Sequence, residues 1–170
     1  MTALVVYESM YGATKAVAEA IGAALGEHGP VRVTEVGALA QEPDGGLVTE
    51  DVDLLVVGGP THAFGMSRPG TRQDARQEGV PVLSSSIGVR EWLEEVRLPH
   101  GLACAAFDTK VATPALPGAA SKAIGKRLRK LGGTLLVEPT SFHVQGKSGG
   151  LVDGELDRAG AWAGRLATRG

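Results

Sequence analysis

Short, unbroken apolar runs alternate with segments of helical period along this chain, and that alternation constrains the fold more than any other feature. Ala3-Leu-Val-Val-Tyr7, Asp53-Leu-Leu-Val-Val-Gly58 and Ala103-Cys-Ala-Ala-Phe107 have the character of strands buried on both faces. Val31 to Val36 reads as a further strand. Leu135 to Glu138 and Phe142 to Gln145 read as one last strand interrupted by Pro139. Residues 13–27 put Val17, Ile21, Ala24 and Leu25 on one helical stripe, which His28-Gly29-Pro30 closes. Residues 118–131 do the same with Ala120, Ile124, Leu128 and Leu131. Val152, Leu156, Ala159, Ala163 and Leu166 mark a C-terminal helix, for which Asp153 is the expected N-cap. Arg90 to Arg97 reads as helical, and Arg68 to Ser86 is open between a lid, a short helix and a loop.

Strands alternating with helices imply an α/β fold: a parallel sheet covered on both faces, three layers α/β/α, joined by right-handed crossovers. The 170 residues suit a single domain, 1–170, large enough to form its own core. Lys+Arg 17 against Asp+Glu 19 gives no case for nucleic-acid binding. One cysteine, Cys104, allows no internal disulfide and no multi-cysteine metal site; inside an apolar strand it reads as a packed hydrophobe. The four histidines have no metal-ligand spacing. No segment has the roughly 18 uninterrupted apolar residues of a membrane helix. MTALVVYES has no basic start and too short an apolar run for a signal peptide, so the expectation is a cytoplasmic protein without membrane partners.

In open parallel sheets ligands bind beyond the carboxyl ends of the strands, which directs attention to residues 8–14, 58–68 and 108–117. The first loop, Glu8-Ser-Met-Tyr-Gly-Ala-Thr14, brings two hydroxyls, a phenol and a glycine to the start of a helix. Free N–H groups and the positive end of the helix dipole make such a place an anion site. Read from the residues alone, Ser9 either caps the helix or joins that site. The second loop, Gly58-Gly-Pro-Thr-His-Ala-Phe-Gly-Met-Ser67, leaves its strand through a tight turn, with Phe64 either facing a ligand or tucked into the core. Ser84-Ser-Ser86 resembles a loop leading to a helix cap, not a nucleophile motif.

Ser9-Met-Tyr-Gly-Ala-Thr14 resembles the flavodoxin phosphate loop, written Thr/Ser-x-Thr-x-x-Thr, although Tyr11 stands where a Thr or Ser is common. The resemblance extends through Gly58-Gly-Pro-Thr61 to Ser141-Phe-His-Val-Gln-Gly146 and Gly154-Glu-Leu-Asp-Arg-Ala159. It implies a doubly wound, five-stranded parallel sheet of order 2-1-3-4-5 and non-covalently bound FMN. Ser9, Gly12 and Thr14, with the backbone of Met10, Tyr11 and Ala13, would cradle the phosphate. Pro60, Thr61, His62, Ala63, Phe64 and Gly65 would flank the ring, with Phe64 standing in for the usual Trp or Tyr. Asp108, Thr109 and Lys110 would meet its pyrimidine edge, where Lys110 would favour the reduced form.

The resemblance further implies electron transfer, with a redox partner protein or NAD(P)H as counterpart. A carrier and an NAD(P)H-dependent reductase of quinones or similar acceptors both fit, so enzyme status stays open. The absence of Trp and Tyr from the second and third loops keeps a flavin-free interaction module as the rival. Charge is segregated, −7 over residues 1–100 and +5 over 101–170. Lys122, Lys126, Arg127, Arg129 and Lys130 lie on one helix, either as a solvated face or as a dock for an acidic partner or the 2′-phosphate of NADPH.

Overall fold

The computed structural model describes residues 1–62, 65–79, 82–112, 117–146 and 149–169. Its central parallel sheet takes β2 (Val31–Glu35), β1 (Ala3–Tyr7), β3 (Leu54–His62) and β5 (Ala103–Val111) in that order. The fifth position is shared by β6 (Thr134–Leu135), against the first half of β5, and β7 (Thr140–Val144), against its second half. Pro139 lies between them, and its missing N–H cannot join the ladder. The order 2-1-3-4-5 therefore holds, with the last strand broken at the proline.

Alternate residues of each buried strand face opposite layers, which explains why the strands read as continuous apolar runs. Val6, Leu55, Val57 and Ala106 pack against Trp92 and Leu93 of α4 (Val89–Glu95) and Ile124 and Leu128 of α5 (Ala120–Lys130). Val5, Val56 and Phe107 pack against Val17 and Ile21 of α1 (Ala13–Gly26) and Trp162 and Leu166 of α6 (Glu155–Ala167). Each fully buried side chain of this size contributes about 1.5–3 kcal/mol. Cys104 is buried in this packing, and burial pushes its thiol up to about 12.

One local expectation needs correction, the reading left open for residues 68–86 is resolved in favour of a short helix, and one further helix had no counterpart in the sequence reading. The N-cap of α6 is Gly154, in the left-handed region at φ 84, and not Asp153. The Glu155 carboxylate beyond it is held by Arg158 and by the N–H of His143. Residues 68–86 contain a helix, α3 (Pro69–Gln77), whose first turn is fixed by Pro69 and by the Arg68 N–H donating to Thr71 Oγ1 at 2.9 Å. A five-residue helix, α2 (Val36–Ala40), follows β2; the Glu35 carboxylate accepts from the Ala38 N–H at 2.9 Å and starts it.

Both central strands also run further than their apolar segments. β3 continues through Gly58-Gly-Pro to His62, and β5 through Asp108 to Val111, so Pro60–His62 and Asp108–Lys110 are strand ends and not loop. Pro60 is tolerated because its side of β3 faces β1, which has already ended at Tyr7 opposite Gly58. A short antiparallel strand, β4 (Gly65–Met66), turns back on Thr61 and His62. No helix among the described residues is long and apolar enough to cross a membrane.

Candidate cofactor cleft

The carboxyl ends of β1, β3 and β5 open into a cleft of about 270 Å³. Ser9, Met10, Tyr11, Ala13 and Thr14 form one wall, Pro60, Thr61 and His62 the floor, and Thr109 and Lys110 the far side. Three segments separated by up to about a hundred residues thus meet where the strand-end rule points.

The first wall is built by Ser9. Its hydroxyl oxygen, fully buried, accepts from the N–H of Gly12 at 3.2 Å and from that of Lys15 at 3.3 Å, capping the start of α1. Gly12 can close so tight a turn because it sits at φ 101, where other residues are strained. With Gly12 and Lys15 satisfied by the serine, the N–H groups of Ala13 and Thr14 have no acceptor among the described residues. They mark the positive end of a 14-residue helix at the cleft. The Ser9 proton is likewise given to no described acceptor.

Across the cleft floor Thr14 Oγ1 and Thr109 Oγ1 are 2.7 Å apart, both buried. Two hydroxyls sharing one hydrogen bond leave one proton for a third partner. Tyr11 is committed elsewhere: its phenol donates to Glu78 Oε2 at 2.7 Å, and that bond, aided by burial, pushes the phenol up to about 12. Lys110 lies at the cleft with Nζ donating to the Gly118 carbonyl at 3.1 Å, which leaves further ammonium protons.

Not every expected residue reaches the cleft. Gly12 shapes the turn without lining it, and Gly65 lies in β4, outside the wall. Ala63 and Phe64 lie outside the described residues. Asp108 is fully buried behind the floor, where Oδ2 accepts from Thr61 Oγ1 at 3.0 Å and from the Ser121 N–H at 2.8 Å. Thr61 Oγ1 in turn accepts from the Ala120 N–H at 2.9 Å. Together they cap α5 and tie its first turn to the strand ends.

The structure adds residues that the sequence did not mark. Thr71, Asp74 and Ala75 of α3, and Val111, Val144 and Gly149, also line the cleft. The Pro-Gly start of α3 was its one available signal. Among the described residues no group of His, Cys, Asp and Glu could hold a metal ion.

Comparison with solved structures decides the architecture. An archaeal flavodoxin superposes with a TM-score of 0.65 at 22% identity, covering 99% of this chain and 97% of its own. Oxidised Flavodoxin 2 from Bacillus cereus gives 0.69 at 20% identity over the whole of both chains. This chain has the flavodoxin-like fold. The flavodiiron protein of Giardia intestinalis also matches 99% of the flavodoxin-like chain, with a TM-score of 0.65 at 19% identity. The match takes in only 36% of that longer protein. No family model and no curated sequence matches.

Proposed function

We propose that this flavodoxin-like domain binds FMN and transfers electrons through it. The observation that carries the reading is the set of open donors at the start of α1. The Ala13 and Thr14 N–H groups lack an acceptor among the described residues, and Ser9, Ala13, Thr14 and Thr109 line the same cleft. That donor set fits a terminal phosphate, since no residue from Ser9 to Thr14 is acidic. Met10, Val111 and Val144 offer apolar flanks for a flat ring. Bound FMN would supply the redox chemistry, and the protein's task is to hold and tune it. Lys110 places positive charge at the cleft and favours a ligand that gains negative charge on reduction.

The partner reading rests on α5. Lys122, Lys126, Arg129 and Lys130 are exposed and form no ion pair with any described residue. The first turn of α5 is bonded to Thr61 and Asp108, so this cationic face begins beside the cleft. It suits an acidic redox protein, and its docking should weaken as salt rises. A hydride-accepting reductase is the second reading, motivated by the same cations and the 2′-phosphate of NADPH. Steady oxidation of NADPH by the FMN-loaded protein would select it; inertness toward NADPH would select the carrier.

FMN should remain with the protein through desalting, giving visible flavin absorption that free FMN cannot account for. A colourless protein after that step would leave the interaction module in place of the redox protein. Thr14→Ala should weaken FMN binding by about 1–3 kcal/mol, because it removes a buried donor from a charged acceptor. Fluorescence titration checks this, and an unchanged affinity would take Thr14 out of the phosphate site.

A further inference from the structure

Ser84 lies far from the phosphate loop in sequence yet is bonded to its first residue on both sides. The Ser9 N–H donates to Ser84 Oγ at 2.9 Å, and the Ser84 N–H donates to the Ser9 carbonyl at 2.8 Å. Next to this pair, the Leu83 N–H donates to the Met10 carbonyl at 3.1 Å. Both serines are fully buried, so water cannot replace these bonds.

A hydroxyl has a single proton, and that of Ser84 goes to Glu35 Oε1 at 2.7 Å. Its acceptor side is thereby turned to Ser9. Glu35 is itself fixed, ending β2 and accepting the Ala38 N–H through its other oxygen. The chain Glu35–Ser84–Ser9 thus runs from the end of one strand to the start of the loop after another. Ser9 then holds Gly12 and Lys15, which leaves the N–H groups of Ala13 and Thr14 facing the cleft.

We infer that Ser84, oriented by Glu35, is a positioning residue that sets the phosphate loop and so lets the cleft distinguish a phosphate-terminated flavin from one without phosphate. The inference rests on the FMN reading and adds a residue that touches neither ligand nor cleft. A serine that only supported the fold would affect the two flavins alike.

The test compares FMN and riboflavin affinities by flavin fluorescence in the full chain, with unfolding midpoints measured alongside. Ser84→Ala should reduce the preference for FMN over riboflavin by about tenfold, the loss of one hydrogen bond's orienting effect on a charged ligand. Glu35→Gln keeps an acceptor for the Ser84 proton and should retain the preference. An unchanged preference in Ser84→Ala, or equal losses for both flavins, overturns the inference. If Ser84→Ala does not fold, Glu35→Ala, changed at a partly exposed position, is held to the same criterion. If the unaltered protein binds neither flavin, the FMN reading fails by itself, and amide exchange in the flavin-free protein decides the positioning role. Exchange that quickens at Ser9 and Gly12 in the variant, with Val5 unchanged, supports it; unchanged exchange at Ser9 and Gly12 overturns it.

Discussion

Arg72→Ala is expected to cost about 3–5 kcal/mol of stability near neutral pH, the usual result of stripping one partner from a buried ion pair. Arg72 and Glu8 are both almost wholly buried, and Glu8 is the residue immediately before the Ser9–Thr14 segment that lines the cleft. The guanidinium donates to Ser67 Oγ at 2.8 Å and to Glu91 Oε1 at 2.9 Å, and lies 3.9 Å from Glu8 Oε1. Glu8 accepts from the Ser67 hydroxyl and from the Val89 N–H. One cluster therefore ties β1 to both α3 and α4, and the α3 wall of the cleft depends on it.

The pH dependence of that cost has a definite sign. Burial lifts the Glu8 carboxyl above its ordinary value, against the pull of Ser67, the Val89 N–H and Arg72. A carboxyl with a raised folded pKa holds its proton more tightly in the folded state. Its contribution to stability is whole below the ordinary carboxylate value and is lost as pH rises through the folded value. Removing Arg72 raises the folded value further, so the deficit of Arg72→Ala should grow with pH. Glu91 behaves oppositely: burial pushes it up, but Arg72 and the Gly88 N–H outweigh burial and hold it below its ordinary value. Its favourable contribution is present above the ordinary value and fades in acid, so its loss from the variant also weighs most at higher pH. Urea unfolding at about pH 4.5 and about pH 8 checks the sign. Adding Glu8→Gln should recover a large part of the loss at the higher pH. A deficit that does not change with pH would contradict the account of a stranded carboxylate.

Gly58→Ala should be nearly as damaging, at about 3 kcal/mol, through overpacking. A Cβ at Gly58 would overlap the ring carbons of Phe107 on the neighbouring strand. That ring has no easy retreat. It packs edge-on to Phe142 at 6.1 Å and Trp162 at 6.3 Å, and those two rings are 6.0 Å from each other. Phe107→Leu combined with Gly58→Ala should lose less than the sum of the two changes, because the smaller side chain makes room. A Gly58→Ala protein within about 0.5 kcal/mol of the original would show that the sheet relaxes freely at this point.

The parts of the fold that were legible in the sequence are those with an apolar signature. β1, β3 and β5 are buried on both faces, and α1, α5 and α6 each bury a regular stripe. α3 has no such stripe: only Arg72 and Ala75 are buried, and Arg72 is buried by ion pairing. Hydrophobic period cannot find a helix of that kind. The ends of β3 and β5 were also hidden, because Thr61, His62, Thr109 and Lys110 are polar where the strands reach the cleft. Within the cleft, sequence directed attention to residues 8–14, 58–68 and 108–117, and residues from all three segments line it, although 60–62 and 108–110 are strand and not loop. It gave no sign of the Glu35–Ser84–Ser9 chain, since nothing in a serine run announces a contact 75 residues away.

The central claim is that the first turn of α1 holds the ligand's phosphate, and amide spectra of isotope-labelled protein during FMN addition test it most directly. The account predicts large downfield shifts of the Ala13 and Thr14 N–H resonances, with riboflavin failing to reproduce them. FMN addition that leaves those two resonances in place, or riboflavin moving them equally, would contradict it.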